Sequence, residues 1–493
     1  MKRNSTLAAI LLLCAIAGTV ASCGSNDAET KDSTPVTQNN DNAVDTETAA
    51  ETDDRPPLNL PETDFGGAEL RILGYEKGVD CIKQYDFYYD EASSGELIND
   101  AIQKRNGMIE ERYNCTIKVT NDKTPVTTAR NSITAGSDDF DVMELYINNV
   151  MSMATEGMFL NWYDLPHIQM DAPWWDQAIQ RDLAMFNKLY VMTGDISVYD
   201  EELNYCVYFN KQVQQDNDIG DLYELARTKK WTMDVMYEMG KSVSADLNGD
   251  GVRDENDRFG ILSDAGMMFL FYFTSGCNLV TLDDKGEPYF TVASERTFDV
   301  CDKLTAFFKD TDTMLWARNC SNTWTTLDKV FMENRNLFRP GSIYDIVYYR
   351  NMEHDFGILP YPLYDESQEE YYHLIATHVC PGLCIPATIK DVDRTAYLLE
   401  ALAYESRDTV TKAYYDLNLY TKMARDNESG DMLDIIFSTK RYDLGFVFDW
   451  GGMRGTLENL VTSGKNFSTQ WDSKQKSAQK AMDKTLEFYR TNN

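Results

Sequence analysis

The chain has 493 residues, of which 80 are Asp or Glu and 46 are Lys or Arg, so its formal net charge is −34. A surface this acidic excludes nucleic acid as a partner, because nucleic-acid binding needs basic patches that displace counterions from phosphates. The same charge keeps the folded body away from anionic lipid headgroups. The composition is globular from about Asp64 onward, and this length predicts two or more domains or lobes.

The N-terminus has the pattern of an export signal. Two basic residues precede an apolar run from Leu7 to Val20, which is too short to span a bilayer comfortably. The run leads into Val-Ala-Ser-Cys, ending at Cys23, and this motif resembles the bacterial lipobox. We therefore expect a lipoprotein signal peptide over residues 1–22 and acylation of Cys23, which anchors a protein stably when two or more chains are attached. The alternative is an ordinary secretory signal that happens to end near a cysteine.

Residues 23–63 are predicted to form a flexible acidic tether. They are mostly Ser, Thr, Asn, Asp, Glu and Ala and contain almost no large apolar side chains. Such a segment cannot bury enough surface to offset the entropy lost on ordering. With an acylated Cys23, the tether would hold a folded body at the extracytoplasmic face of the cell membrane.

The folded body begins with alternating strands and helices. Apolar periodicity predicts strands at 68–75, 115–120 and 139–145 and helices at 95–114 and 124–135. This alternation favours a parallel α/β sheet. A second α/β region begins near Lys188, with a predicted strand at 204–210 and helices at 232–243 and 294–309. After 382–389, an Ala- and Tyr-rich helical stretch extends to about Ala424.

Several stretches together resemble family 1 extracellular solute-binding proteins, which serve ABC-type sugar importers and include maltose-binding protein. Residues 139–165 are similar to the family's strand-to-helix segment, and 187–211 look like its first interlobe crossover. Residues 231–239 resemble the helix start that follows, and 356–362 and 382–406 resemble the return crossover and the next helix.

The resemblance implies a two-lobed α/β fold of the periplasmic-binding-protein type II class, with a cleft between the lobes. It implies an N-terminal lobe of 64–194 plus 385–430 and a C-terminal lobe of 195–384 plus 431–493. The implied function is capture of a carbohydrate for an ABC importer, whose permease subunits would be partners, without enzymatic activity. The alternatives are a surface glycoside hydrolase and a binder of a non-sugar small solute.

Residues 244–260 resemble an EF-hand-type calcium loop, with Gly251 at the position of the sharp turn. Position twelve is Asp257 rather than Glu, and a strand-like run follows the loop instead of a second helix. We therefore predict a structural Ca²⁺ rather than a sensor site; the alternative is an Asx-rich turn without metal. The predicted ligands are Asp246, Asn248, Asp250, Val252, Asp254 and Asp257.

Candidate ligand-binding residues follow from the chemistry of sugars. Sugars present hydroxyl groups at their edges and C–H groups on their faces, so a site needs aromatic surfaces and fixed polar groups. The resemblance places a sugar-stacking aromatic near Trp450. The alternatives are core packing for the tryptophans, a hinge hydrogen bond for Asp195 and a sheet cap for Tyr146. The candidates are Tyr146, Trp174, Trp175, Asp195, Tyr344, Asp449 and Trp450, and Trp316, Trp324 and Tyr344 rank behind the others.

Catalytic signatures do not emerge from the sequence. A glycoside hydrolase needs two carboxylates across the scissile bond, and 80 acidic residues single out no pair. The sequence has no nucleophile-elbow, zinc-protease or phosphate-loop motif. We interpret His373 and His378 as structural, and Cys380 and Cys384 as a buried or optionally oxidised pair rather than half of a zinc site.

Overall fold

The computed structural model describes residues 56–349, 351–416 and 428–491. The predicted signal peptide, Cys23 and most of the predicted tether lie outside these residues. So does the last part of the helical stretch predicted to end near Ala424. Among the helices that are described, none combines the length and apolarity needed to cross a membrane.

The described strands and helices are numbered in chain order. Strands β1 to β13 are Ala68–Tyr75, Cys115–Asp122, Val142–Tyr146, Tyr205–Asn210, Phe259–Ser263, Val280–Leu282, Pro288–Phe290, Met314–Trp316, Asn336–Ser342, Phe356–Leu359, His373–Leu374, Pro381–Cys384 and Lys440–Arg441. Helices α1 to α19 are Leu97–Tyr113, Pro125–Thr134, Ile147–Ala154, Gln177–Leu183, Tyr199–Glu202, Lys211–Asp216, Leu222–Arg227, Met233–Val243, Met268–Thr274, Glu295–Lys309, Thr323–Met332, Ile346–Tyr349, Val392–Ser406, Lys412–Tyr415, Glu428–Ser438, Leu444–Phe448, Met453–Glu458, Leu460–Ser463 and Phe467–Thr491.

The first sheet has the strand order β12-β3-β1-β2. Strand β1 is parallel to β2 and β3, and β12 runs antiparallel to β3 at the edge. All five residues of β3 are buried, as expected of a parallel strand with both faces covered. The predicted strands and helices of this region are confirmed, and the bounds of β1 are those predicted from the sequence.

The second sheet has the order β10-β4-β9-β5-β8. Strand β5 is parallel to β8 and β9, whereas β4 is antiparallel to β9 and β10. The predicted strand at 204–210 is β4, and the two predicted helices are α8 and α10. The apolar stretch that begins near Lys188 forms only isolated bridges, such as Met192 with Leu383.

The chain crosses between the two sheets more than once. It leaves the first sheet after β3 and enters the second at β4, then returns between β10 and β12. Helix α13 packs against α1 beside the first sheet, and α15 packs against β10 of the second. The predicted two-lobed α/β fold is therefore confirmed. The exact lobe limits stay a prediction, and β12 joins the first sheet although it precedes the predicted boundary after residue 384.

The first crossover contains a glycine that no other residue can replace without strain. Gly194 has a φ of +148°, and an ideal Cβ at this position would lie 2.2 Å from the carbonyl oxygen of Trp174. The same carbonyl accepts a hydrogen bond from the N–H of Asp195 at 3.0 Å. The close approach therefore belongs to the hydrogen bonding that holds the crossover against the first lobe.

We expect Gly194→Ala to lower the free energy of unfolding by about 1–3 kcal/mol or more, because the substitution combines backbone strain with a backbone clash. Urea unfolding of the purified protein measures this change. Gly220→Ala is the matched control, since a Cβ at Gly220 has no heavy atom within 4 Å. Equal stabilities of the two variants would contradict the prediction.

Candidate ligand-binding site

A cavity of about 620 Å³ lies at the carboxyl ends of β5 and β9 in the second sheet. Ser263 and Ser342, the last residues of these strands, line it. Cys81, from the loop after β1, contributes a wall from the first lobe. Ligands of open α/β sheets bind at the carboxyl ends of strands, and this volume lies within the usual range of small-molecule sites.

Two exposed aromatic side chains face this cavity. Trp324 on α11 and Tyr348 on α12 line it and are 37% and 47% exposed. Large apolar side chains are rarely exposed in the described part of the chain, where only eight are found. Two of the eight therefore share one cavity, and they offer it broad aromatic surface.

The polar part of the wall is fixed by an ion pair. The guanidinium group of Arg339 donates to Asp328 Oδ1 from Nε and Nη2 at 3.2 and 3.0 Å. The hydroxyl of Tyr349 donates to the same oxygen at 2.8 Å. The Arg339 guanidinium also lies 5.4 Å from the ring centre of Trp324. Charge-assisted bonds of this kind hold both partners in one orientation.

Two tyrosines and an aspartate complete the wall. Tyr205, Tyr361 and Asp345 line the cavity. Asp345 Oδ2 accepts the N–H of Ser342 at 3.0 Å. The Tyr361 hydroxyl is buried and has no hydrogen-bond partner among the described residues. Burial raises the pKa of both tyrosines well above the usual range, so each hydroxyl stays protonated and can donate.

A second cavity of about 320 Å³ lies beside the first. It is enclosed by the loop of residues 76–96 and the start of α1 on one side, and by Tyr344 and Val347 on the other. The Lys83 ammonium group lies 5.9 Å from the centre of the Tyr344 ring. Tyr344, one of the predicted ligand residues, therefore lies between the lobes at a cavity wall.

The structure places Trp174 and Trp175, two of the predicted ligand residues, in the core. Their side chains are 0% and 1% exposed. Each indole donates to Glu400 on α13, at 3.1 and 2.8 Å. The buried carboxylate needs these donors, because a buried acceptor without partners is destabilising. Neither tryptophan lines the two cavities described above.

Trp450 and Asp449 are likewise placed away from both cavities. Trp450 is 3% exposed, stacks on Phe448 with ring centres 4.8 Å apart, and donates to Thr485 Oγ1 at 2.9 Å. It therefore packs against α19. Asp449 has a φ of +46° and accepts the N–H of Arg454 at 2.8 Å, which makes it a turn residue at the end of α16.

The last two candidates make protein contacts near the crossover. Tyr146 is buried, stacks on Tyr75 with ring centres 4.3 Å apart and donates to Asp80 at 3.1 Å. Asp195 accepts a hydrogen bond from Thr411 Oγ1 at 3.3 Å. Neither lines the two cavities, so the alternative interpretations, a sheet cap and a hinge hydrogen bond, describe the observed contacts.

Of the residues in this wall, the sequence singled out Trp324 as a low-ranked candidate and residues 339–342 as similar to a family segment near a ligand aromatic. It did not single out Tyr348 or Asp328. A signal for them exists in the spacing. Trp324 and Asp328 are four residues apart on α11, so they share a helix face. Tyr344 and Tyr348 have the same spacing across a short helical turn. Such spacing brings an aromatic face and a carboxylate to the same side of α11.

The predicted calcium loop is closed by its own side chains. The two oxygens of Asp246 accept the N–H groups of Gly249 and Gly251 at 2.7 and 2.9 Å. Asp257 accepts the N–H groups of Leu247 and Asp254 at 2.9 and 3.2 Å. In the described residues, no group of three or more His, Cys, Asp or Glu side chains is arranged to hold a metal ion. Strand β5 follows the loop, as predicted.

The histidines and cysteines singled out by the sequence are structural in the described protein. His373 is fully buried, Nε2 accepts the N–H of Tyr361 at 3.1 Å, and burial lowers the pKa of His373 to about 3. Burial also lowers the pKa of His378 to about 4. Cys380 and Cys384 are buried, and the eight described cysteines form no disulfide with one another.

Comparison with known proteins identifies which solved structures share this fold. No protein-family model matches the chain. No curated protein matches it in sequence. Solved structures match over most of their length. An ABC substrate-binding protein from Listeria monocytogenes in complex with cycloalternan is 12% identical, with a TM-score of 0.53 over 85% of this chain and 98% of that one.

Two further solved structures give the same result. The maltose/maltodextrin-binding domain from Bdellovibrio bacteriovorus bound to maltotriose is 14% identical, with a TM-score of 0.51 over 86% of this chain and 100% of that one. UgpB from Mycobacterium tuberculosis in complex with glycerophosphocholine is 15% identical, with a TM-score of 0.54 over 85% of this chain and 100% of that one. The chain therefore has the fold of ABC substrate-binding proteins.

The environment of Asp195 predicts a dependence of stability on pH. Burial raises the pKa of Asp195 from its ordinary 3.8 to about 6, against the opposing effect of Arg407. A raised folded-state pKa contributes stability below pH 3.8 that is lost as the pH rises to about 6. The Asp195→Asn variant has no carboxyl group at this position, so its free energy of unfolding should not include this loss.

Urea unfolding at several pH values tests this expectation. The unfolding free energy of wild type minus that of Asp195→Asn should fall between about pH 4 and pH 6 and be flat above. Asp299→Asn, at an exposed position on α10, serves as the control substitution. A flat difference for Asp195→Asn would show that the carboxyl is not desolvated in the folded protein.

Proposed function

We propose that this protein is an extracytoplasmic substrate-binding protein that captures a carbohydrate between its lobes for an ABC importer. The observation that carries the proposal is the 620 Å³ cavity in which exposed Trp324 and Tyr348 stand beside the fixed Arg339–Asp328 pair. Aromatic faces match the C–H faces of a sugar, and the ion pair and tyrosine hydroxyls match its hydroxyl edge.

The fold supports the same proposal. The solved structures with this fold include proteins bound to cycloalternan and to maltotriose, and also one bound to glycerophosphocholine. In a two-lobed protein, a ligand that contacts both lobes favours the closed arrangement by its differential affinity for it. The closed lobes would then present a composite surface to the permease subunits of the importer. No reaction on the ligand is required.

The proposed location depends on the N-terminus. Cys23 follows small residues and is proposed to carry the lipid anchor, and the acidic stretch to residue 63 is proposed as the tether. One acyl chain gives only marginal membrane binding, whereas two or more give stable anchoring. The anchored protein would remain beside its importer on the extracytoplasmic face of the cell membrane.

The first test combines ligand identification with site variants. Thermal unfolding of the purified protein is measured with mono- and oligosaccharides of glucose, xylose, mannose and galactose. A ligand at about 100 times its Kd adds roughly 2.7 kcal/mol of stability, which raises the midpoint. We expect Trp324→Ala and Tyr348→Ala each to weaken binding of the stabilising sugar about tenfold or more, because each removes an aromatic face.

Tyr289→Ala is the control for Tyr348→Ala. The two tyrosines are 48% and 47% exposed, but Tyr289 does not line the cavity. Its variant should bind the sugar like wild type. Unchanged affinity in both cavity variants would refute the site. If only a non-sugar solute stabilises the protein, its ligand is not a carbohydrate. Cleavage of the added sugar would identify a glycoside hydrolase.

A structural calcium ion at residues 246–257 is part of the proposal. The donor set consists of carboxylate, amide and carbonyl oxygens, the ligands that Ca²⁺ prefers. The backbone N–H bonds to Asp246 and Asp257 leave lone pairs available, since an ionised carboxylate offers about four acceptor sites. The ion would hold the loop between α8 and β5 and take no part in ligand binding.

Calcium should raise the thermal midpoint by a few degrees over that in chelator, because it binds only the folded loop. Asp250→Asn should reduce this shift, since the amide keeps the acceptor for the N–H of Val252 but removes a charge from the site. Asp299→Asn, on α10, should keep the full shift. Equal wild-type midpoints in calcium and in chelator would contradict the calcium proposal.

A further inference from the structure

We propose that the second cavity is an extension subsite, and that the ligand is a linear oligosaccharide which passes from one cavity into the other. This inference rests on the proposed function and adds to it the length of the ligand. It assigns a role to the loop of residues 76–96, which does not belong to the sugar-stacking wall formed by Trp324 and Tyr348.

The two cavities meet at a pair of tyrosines. Tyr348 lines the larger cavity and Tyr344 the smaller. Their ring centres are 6.0 Å apart, and the Tyr348 hydroxyl donates to the Tyr344 hydroxyl at 3.5 Å. The cavities are therefore separated by the thickness of one tyrosine pair, which is itself an aromatic and hydroxyl surface suited to a sugar.

The cavities also meet on the first lobe. Cys81 lines the larger cavity, and Lys83, two residues later, lines the smaller. The Cα atoms of residues at this spacing are at most about 7 Å apart. On each lobe, residues that are near neighbours in the chain thus line the two cavities, as a ligand that extends from one cavity to the other would require.

The loop that encloses the smaller cavity is held by buried groups. Carbonyl oxygens of this loop accept hydrogen bonds from Arg105 and Asn106 of α1, at Asp86 (2.6 Å) and Phe87 (2.7 Å). Asn99 of the same helix donates to the carbonyls of Asp90 and Ser93, both at 3.1 Å. Long loops fixed in this way usually carry function.

A hydrogen bond from the crossover segment also holds this loop. The Tyr199 hydroxyl, on the crossover helix α5, donates to the carbonyl of Gln84 at 2.6 Å. The loop is therefore held both by its own lobe and by the segment that joins the lobes. The smaller cavity is therefore bordered by a loop that hydrogen bonds fix in place, and it is not a gap beside a loosely placed loop.

The wall of the smaller cavity has the mixture of groups that a sugar unit requires. Leu97 is 47% exposed and, with Ile98 and Val347, gives it an apolar side. Lys77 and Lys83 line it as donors, and neither forms an ion pair within 4.0 Å with another described residue. Asp90 also lines it, but its carboxylate already accepts hydrogen bonds from Ala92 and Ser93.

The test is affinity as a function of ligand length. Isothermal titration compares glucose to maltohexaose and xylose to xylohexaose on the wild-type protein and on Leu97→Trp, which places an indole in the smaller cavity. Met108→Trp is the matched control, since Met108 is 39% exposed on the same helix and lines neither cavity. Lys83→Met removes a donor without filling the space.

We expect wild-type affinity to increase about tenfold or more from the shortest bound sugar to the longest. Leu97→Trp should abolish this increase while it keeps the affinity for the shortest sugar, Lys83→Met should reduce the increase, and Met108→Trp should retain it. Equal wild-type affinity at all lengths, or an unchanged increase in Leu97→Trp, would overturn the extension subsite and leave the proposed function intact. Absence of binding by every sugar would overturn both.

Discussion

The candidate site depends on one carboxylate, that of Asp328. Its Oδ1 accepts hydrogen bonds from the guanidinium group of Arg339 on β9 and from the hydroxyl of Tyr349 on α12. One atom therefore joins α11, β9 and α12. Trp324 stands one helical turn before Asp328, and Tyr348 directly precedes Tyr349. The two exposed aromatic faces therefore keep their relative positions because three elements share this acceptor.

The crossover supplies the second constraint. The carboxylate of Glu400 on α13 accepts hydrogen bonds from both indole N–H groups of Trp174 and Trp175. The carbonyl oxygen of Trp174 accepts a hydrogen bond from the N–H of Asp195, the residue after Gly194. These bonds tie the start of the crossover to the helices of the first lobe. We therefore expect any movement between the lobes to occur in the connecting segments, with the wall that carries Trp324 and the loop that carries Lys83 moving as rigid sides of the cleft.

Much of the fold could be predicted from the sequence, because period-two and helical apolar patterns record burial directly. The strand β1 and the helices α1, α8 and α10 follow from such patterns. The site could not be predicted in the same way. Trp174, Trp175 and Trp450 share their residue type with Trp324, and only the partners Glu400 and Thr485, distant in the chain, decide that they are buried. Tyr344, a low-ranked candidate, follows the end of β9 and lines the smaller cavity.

We propose that a saccharide lies on Trp324 and Tyr348 with its hydroxyl groups toward Arg339 and Asp328. A crystal structure of the protein with the sugar that raises its thermal midpoint most tests this claim directly. We expect a sugar ring in van der Waals contact with both aromatic faces, at the carboxyl ends of β5 and β9. A sugar bound elsewhere, with these two side chains free of contact, would contradict it.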